Sequence, residues 1–469
     1  MIGYNPLASS WGRKITFFML YFTEGLPQGF TLVAIVGLMS RRGFDERTVG
    51  SFAAAMTLPW AFKWVVGPFV DLIFSRRLGR RRGWILGTQL LMAVGIVAAL
   101  RLDFASQLDL FKMVMVFVNG FAAAQDVAID ALACDTLDEK ERGQINGMMF
   151  AGAYLGTAAG GSGVLYISRL AADLSAPGVA NVDAAIGLPA AMIALVAVLL
   201  AITLFFVVPM REKPTEDLPL HSSFRQAGRR LTTYVGEAGR SFFASRTALA
   251  ALAFAILPTG AYALGMAVTT KLATNLGFDE NRLANLNLVT ASIGAASCVV
   301  GGLLADKFGK RRMIAIYAAL TIVPNLVLAG WMLSSGVDFT LNPKAAGYAA
   351  PAMTFLTMFW CVNIGFSVFQ GLLWGSRAGL YMDVVNPRVA ATQFTAYMAV
   401  QNVVLTYSQW WTGLAVGEWK LGYGTMYLAD VALGLLCLPL LLWMKPRVKG
   451  PDEPVLPEIE AIEPLVERA

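Results

Sequence analysis

The sequence predicts an all-α membrane protein with twelve transmembrane helices in two six-helix, pseudo-symmetric halves. Composition, the run pattern and an internal repeat lead to this reading. Of 469 residues, 57% are hydrophobic and only 14% charged, and the mean hydropathy is +0.59. A soluble domain carries about 25% charge and about 45–50% apolar residues. At roughly 20 residues per span, the apolar content suffices for about twelve spans. A soluble multi-domain enzyme is excluded. The runs are continuous and do not alternate, which argues against a β-barrel.

The spans read in order as 15–39, 49–70, 84–100, 110–134, 143–168 and 186–208, then 248–270, 284–305, 313–334, 348–373, 389–416 and 422–444. Arg13 and Lys14 precede the first run without a small-residue cleavage site, so this run reads as a retained span. The polar stretch 209–247, with Arg225, Arg229, Arg230 and Arg240, divides the spans six and six. The domain reading is therefore 1–208 and 248–444 for the two halves, 209–247 for a cytoplasmic linker and 445–469 for an acidic, disordered tail. With both termini on one side, 26 of the 37 Lys and Arg residues fall on that side's turns and ends. The positive-inside rule makes it cytoplasmic and accounts for the net charge of +6 without nucleic acid.

Chemistry is restricted by what the chain lacks. One histidine, His221, cannot supply a His-rich metal site, a Ser-His-Asp triad or an intramembrane proton relay. Cys134, Cys298, Cys361 and Cys437 are far apart, form no CxxC pair and read as small hydrophobes. No metal, cofactor or enzymatic activity is expected.

The repeat sits on the cytoplasmic turns. GPFVD (67–71) followed by GRRRGW (79–84) corresponds to GGLLAD (301–306) followed by KFGKRR (307–312). A weaker pair aligns 134–147 with 382–394, placing Asp135 against Asp383. Parallel six-helix repeats are a transporter architecture. The turn resembles the loop between helices two and three of the major facilitator superfamily. Asp71, Arg80, Arg81 and Arg82, with Asp306, Lys310 and Arg311, are thus expected to form a latch, each carboxylate facing basic residues of the other half. Simple topology-setting charge is the alternative.

Ionisable residues at bilayer depth are functional candidates. Counting along each helix at about 1.5 Å per residue puts Glu24, Lys63 and Asp126 about 12–13 Å from the cytoplasmic end. Asp130 follows one turn below Asp126, on the same face. The shared depth predicts a cluster in which Lys63 partly neutralises Glu24 or Asp126, leaving excess carboxylate to carry a proton or touch substrate. A structural ion-pair network is the alternative. Pro27, Gly25 and Gly29 predict a kink or break lining a cavity, and Gly152, Gly156 and Gly160 read as a helix-packing stripe. In the second half, Asn363, Ser367 and Gln370 form one stripe. Gln393, Tyr397, Gln401 and Ser408 form another, beside Asn402. Both are candidates for lining a cavity or for interhelical hydrogen bonding.

A narrower resemblance rests on PWAFKWVVGPFVD (59–71), GRRRGWILGTQLL (79–91) and AAQDVAIDALACDTLDEKERG (123–143). These blocks, in this order, resemble the AmpG-type muropeptide permeases and the related acetyl-coenzyme A transporters. The second half matches only through 276–287 and the DKFGKRR turn. The resemblance implies proton-coupled import of GlcNAc-1,6-anhydroMurNAc peptides across the bacterial inner membrane. Carried over by motif, Lys63, Asp126 and Asp130 are the charged functional positions, with Gln125 beside them. The Glu24–Pro27 stretch departs from the family's pattern, so Glu24 rests on its depth alone. The expected partners are a small-molecule substrate, protons and the lipid bilayer, with the chain a monomer. Transport of acetyl-coenzyme A or another organic anion is the second reading, and a non-transporting membrane assembly or sensor protein the third.

Overall fold

A run of twenty apolar residues with no charge can cross a bilayer only as a helix, since no water is present to satisfy an open backbone. The computed structural model describes residues 4–42, 46–73, 78–104, 106–175, 183–212, 239–243, 245–278, 280–335, 352–385 and 390–444, with single positions 44, 232, 236 and 339 besides. His221, Arg225, Arg229, Arg230, most of the 209–247 linker and the 445–469 tail lie outside the described residues. Eight helices among these residues are long and apolar enough to cross a membrane.

The first half begins with α1 (Ser10–Gly29), which continues through a π-helical segment, Phe30–Ile35, into α2 (Val36–Arg41). The expected break at Pro27 does not occur. The helix runs through Pro27 and widens into the π-segment just after it, where Thr31 Oγ1 donates to the Pro27 carbonyl at 2.7 Å. The second span, predicted as continuous over 49–70, is α3 (Glu46–Ala61), a 3₁₀ turn (Lys63–Val65) and α4 (Gly67–Leu72). Pro68 cannot continue a preceding helix but opens a new one well. Then follow α5 (Arg82–Ala99), α6 (Leu108–Thr136) and α7 (Arg142–Ala158). A π-segment (Ala159–Gly163) leads into α8 (Val164–Ser175), and α9 (Leu188–Ile202) ends the half with a further π-segment, Thr203–Val207.

The second half contains α10 (Arg246–Ile256), α11 (Ala263–Asn275), α12 (Glu280–Phe308) and α13 (Lys310–Ser335). It closes with α14 (Met353–Val384), α15 (Ala390–Gly417) and α16 (Tyr423–Leu435). The seventh span, also expected to be continuous, is split between α10 and α11. Gly260 there has φ of +78°, a left-handed conformation that glycine adopts without strain. Neighbouring helices satisfy the opened backbone. Thr321 Oγ1 accepts from Ala261 N at 2.9 Å, and Asn325 Nδ2 donates to the Ala261 carbonyl at 3.0 Å.

Packing follows the small residues. A Cβ on Gly152, Gly156 or Gly160 would lie 2.0–2.2 Å from carbonyl oxygens of Phe18, Phe22 and Leu26, so this stripe lets α7 and its π-extension press onto α1. Gly25 and Gly29 meet Ala153 and Thr157 as closely. Gly25 and Gly29 thus pack helices together, in place of the cavity lining expected of their stretch. The outward faces carry large exposed apolar side chains such as Trp11, Val94, Phe117 and Phe205, which suits contact with lipid.

Candidate functional site

Helix turns bring residues of the first half to one level. Lys63 projects from the 3₁₀ turn, and Asp126 and Asp130 occupy successive turns of one face of α6. Lys63 is 5% and Asp126 3% exposed, and Lys63 Nζ donates to Asp126 Oδ2. Asp130 is fully buried, and its Oδ1 accepts from the Tyr21 hydroxyl. Glu24 lies beside Asp126. Glu24 Oε2 and Asp130 Oδ2 are buried without a hydrogen-bond partner. Three carboxylates therefore face one ammonium, and the four residues that the sequence puts near one depth lie together. A buried carboxylate without compensation is costly.

An amide–hydroxyl network flanks the cluster. Gln125 Nε2 donates to Thr23 Oγ1 at 2.8 Å and to the Leu20 carbonyl at 3.3 Å. Gln89 Nε2 also donates to Thr23 Oγ1, at 3.1 Å, while Gln89 Oε1 accepts from Thr203 Oγ1 at 2.6 Å. The network ties α1, α5, α6 and the α9 extension together. Gln125 Oε1 remains unpartnered. The sequence reading missed Gln89, Thr23 and Thr203, because neutral polar residues in an apolar run carry little signal until their partners are known.

The basic turns meet at one end of the bundle. Arg81 Nη2 lies 2.8 Å from Asp71 and its Nε 2.9 Å from Asp135, while Arg80 reaches Asp71 at 3.8 Å. Burial works against the charged form of Arg81, but Asp135 and Asp71 outweigh it and hold the guanidinium above the ordinary arginine range. Asp71 Oδ2 crosses to the other half and accepts from Thr392 N at 3.2 Å and Thr392 Oγ1 at 3.1 Å. In the mirrored arrangement, Asp306 accepts from Gly143 N at 2.9 Å and Gln144 N at 2.6 Å. Each repeat aspartate thus caps the N-terminal turn of a helix in the opposite half.

Asp383, the repeat counterpart of Asp135, holds Lys310 at 2.8 Å and Arg142 of the other half at 3.1 Å. The expected latch is corrected in its chemistry. Asp71 and Asp306 face backbone N–H groups across the seam, and Arg81 binds Asp71 and Asp135 of its own half. Arg82 donates to the Val207 and Val208 carbonyls, and half-buried Arg311 makes none of these contacts.

The described residues of the second half are polar without a comparable charge cluster. Asn363 and Ser367 donate to carbonyls one turn back on α14, both at 2.8 Å. Gln370 is buried on the same helix. Gln393 Nε2 donates to the Tyr397 hydroxyl at 3.1 Å and the Ser241 carbonyl at 3.4 Å, and Tyr397 donates to the Ala248 carbonyl at 3.3 Å. The bonds to Ser241 and Ala248 tie α15 to other segments, and the Gln393–Tyr397 bond lies within α15. Gln401 donates to Tyr381 at 2.7 Å and leaves Oε1 unpartnered.

Two ionisable residues of this half escaped the depth count. Asp430 on α16 accepts from Leu264 N and Gly265 N, both at 3.0 Å, capping α11 at the broken span. Pro258 and Gly260 were the available signal for that break. Arg377, counted with the turn charges, is buried within α14, because that helix runs to Val384.

The family model for the Major Facilitator Superfamily matches residues 17–408. The chain belongs to this superfamily. Among its relatives, the anhydromuropeptide permease of Escherichia coli strain K12 is 29% identical over 440 residues, covering 92% of this chain and 79% of that protein. A solved proton:xylose symporter of the superfamily superimposes with a TM-score of 0.64 at 11% identity, over 93% of this chain and 97% of that one. The E. coli fucose:proton symporter gives 0.61 at 12%, over 92% and 98%. The superfamily fold is the twelve-helix, two-half plan expected from the sequence, and the chain is a multi-pass membrane transporter.

Proposed function

We propose that this transporter imports GlcNAc-1,6-anhydroMurNAc peptides together with protons across a bacterial inner membrane by alternating access. The observation that carries the reading is the Lys63–Asp126 pair with Glu24 and Asp130 each keeping a buried, unpartnered carboxylate oxygen. Likeness to the E. coli permease over 92% of the chain supports the substrate class. Asp126 is the first choice for the proton carrier, with Asp130 and Glu24 sharing the excess charge, Lys63 as counter-ion and Gln125 as a substrate contact. Asn363, Gln370 and Gln401 line the substrate path from the second half. The halves 1–208 and 248–444 rock about the seam while Asp71 and Asp306 uncap and recap. The linker 209–247, the tail 445–469 and both termini lie in the cytoplasm, and the monomer is the working unit.

Uptake of labelled anhydro-muropeptide into proteoliposomes, with and without an inward proton gradient, tests this. Gradient-driven uptake is expected, and Asp126→Asn should abolish it while leaving substrate exchange at zero gradient. Uptake of Asp126→Asn that still follows the gradient removes Asp126 from the role. Acetyl-coenzyme A uptake without muropeptide uptake replaces the substrate assignment.

A further inference from the structure

Arg377 lies seven residues before the end of α14, about 10 Å inside the bundle at 1.5 Å per residue. Its side chain is 5% exposed, and Nε and Nη1 are both buried without a hydrogen-bond partner. Arginine cannot shed its charge, so it cannot escape this cost by neutralising. The carboxylate of Asp430, which also acts on Tyr262, is already engaged by Leu264 N, Gly265 N and Asn325 Nδ2. The guanidinium carbon sits 5.7 Å from the Trp374 ring centre and beside the Tyr262 hydroxyl.

Trp374, one turn earlier, repeats the pattern. Its Nε1–H is buried without an acceptor. Its ring packs 6.0 Å from Tyr154 and 6.4 Å from Phe150, both on α7 of the other half, and 6.1 Å from Tyr262 at the broken span. Three unpartnered donors on two adjacent side chains therefore meet at the seam between the halves, walled by aromatic rings. A carboxylate is the planar acceptor that an arginine fork matches, and aromatic rings suit the body of a sugar or peptide.

We infer that Arg377 and the Trp374 indole N–H form a carboxylate-binding subsite at the seam, which takes a free carboxylate of the substrate. Assigning that carboxylate to the peptide of an anhydro-muropeptide rests on the proposed function; the anion subsite itself does not.

The test is binding to purified full-length protein by isothermal titration. The probes are GlcNAc-1,6-anhydroMurNAc-tetrapeptide, the same compound with its carboxyls converted to primary amides, and acetyl-coenzyme A and an N-acetylated dipeptide as other anionic ligands. The wild type should bind the acid at least about tenfold more tightly than the amide, the size of a charge-assisted hydrogen bond. Arg377→Gln should collapse that gap and Arg377→Lys keep part of it, with monodispersity of each variant as the folding control. An acid–amide gap that survives in Arg377→Gln overturns the subsite and leaves the muropeptide assignment standing. Arg377-dependent binding of another anion without muropeptide binding keeps the subsite and overturns that assignment. Failure of folded wild type to bind any of the probes overturns the subsite.

Discussion

The two halves share their helix ends and differ in their middles. At the ends, Asp71 and Asp306 cap opposite helices, and Asp135 and Asp383 each hold a basic residue from the turn that follows Asp71 or Asp306 in their own half. In the middle, the first half buries three carboxylates around Lys63, while the second buries Arg377 against aromatic rings. The repeat offset that pairs Asp135 with Asp383 also puts Trp374 in the register of Asp126. A duplicated frame thus keeps the contacts that join the halves at this end. Under the proposed function the two interiors serve different chemical loads, protons in the first half and an anionic solute in the second.

The largest expected effect comes from breaking the first half's charge balance. Lys63→Met leaves Asp126 buried without its counter-ion, a change that costs about 3–5 kcal/mol. Thermal stability in detergent should fall sharply and uptake should vanish. Adding Asp126→Leu should restore stability and leave uptake absent; recovery of uptake in the double variant would show the pair to be structural alone. Asp430→Asn probes the second half's paired carboxylate. It keeps the size of the side chain and weakens the α11 cap, so a loss of about 1–2 kcal/mol is expected, with uptake reduced only a few-fold.

The shared ends should respond alike. Asp71→Asn and Asp306→Asn each weaken one cross-half cap worth about 0.5–2 kcal/mol, shifting the population toward opening at that end. Distances between spin labels on the starts of α7 and α15 measure this shift. Unequal shifts would break the symmetry argued from the repeat. Gln393→Leu and Tyr397→Phe, which remove interhelical bonds away from the charge cluster, should change uptake less than twofold and cost about 1 kcal/mol each. A larger loss of uptake would return both residues to the substrate path.

Legibility differed by kind of residue. Glu24, Lys63, Asp126 and Asp130 were found because a charge in an apolar run stands out and a fixed rise per residue converts position into depth. Lys63's choice of Asp126 over Glu24 was not legible, since it depends on how the 3₁₀ turn aims one side chain. Arg377 was hidden by the assumption that its helix ended sooner. Gln393 and Tyr397 looked like cavity residues until their acceptors on Ser241 and Ala248 were in view.

By itself, the sequence determined membrane residence, the twelve-span plan, the repeat and the depth of the charged cluster. Each of these depends on local quantities: the length of an apolar run, its charge and its helical rise. The tertiary structure decided that Asp71 and Asp306 cap helices across the seam, that the second and seventh spans are broken, and that Arg377 lies buried beside Trp374. Such pairings join helices up to 321 residues apart. They are set by how helices pack against one another, through contacts such as those of Gly143 and Gly147 against Asp306 and Cys298.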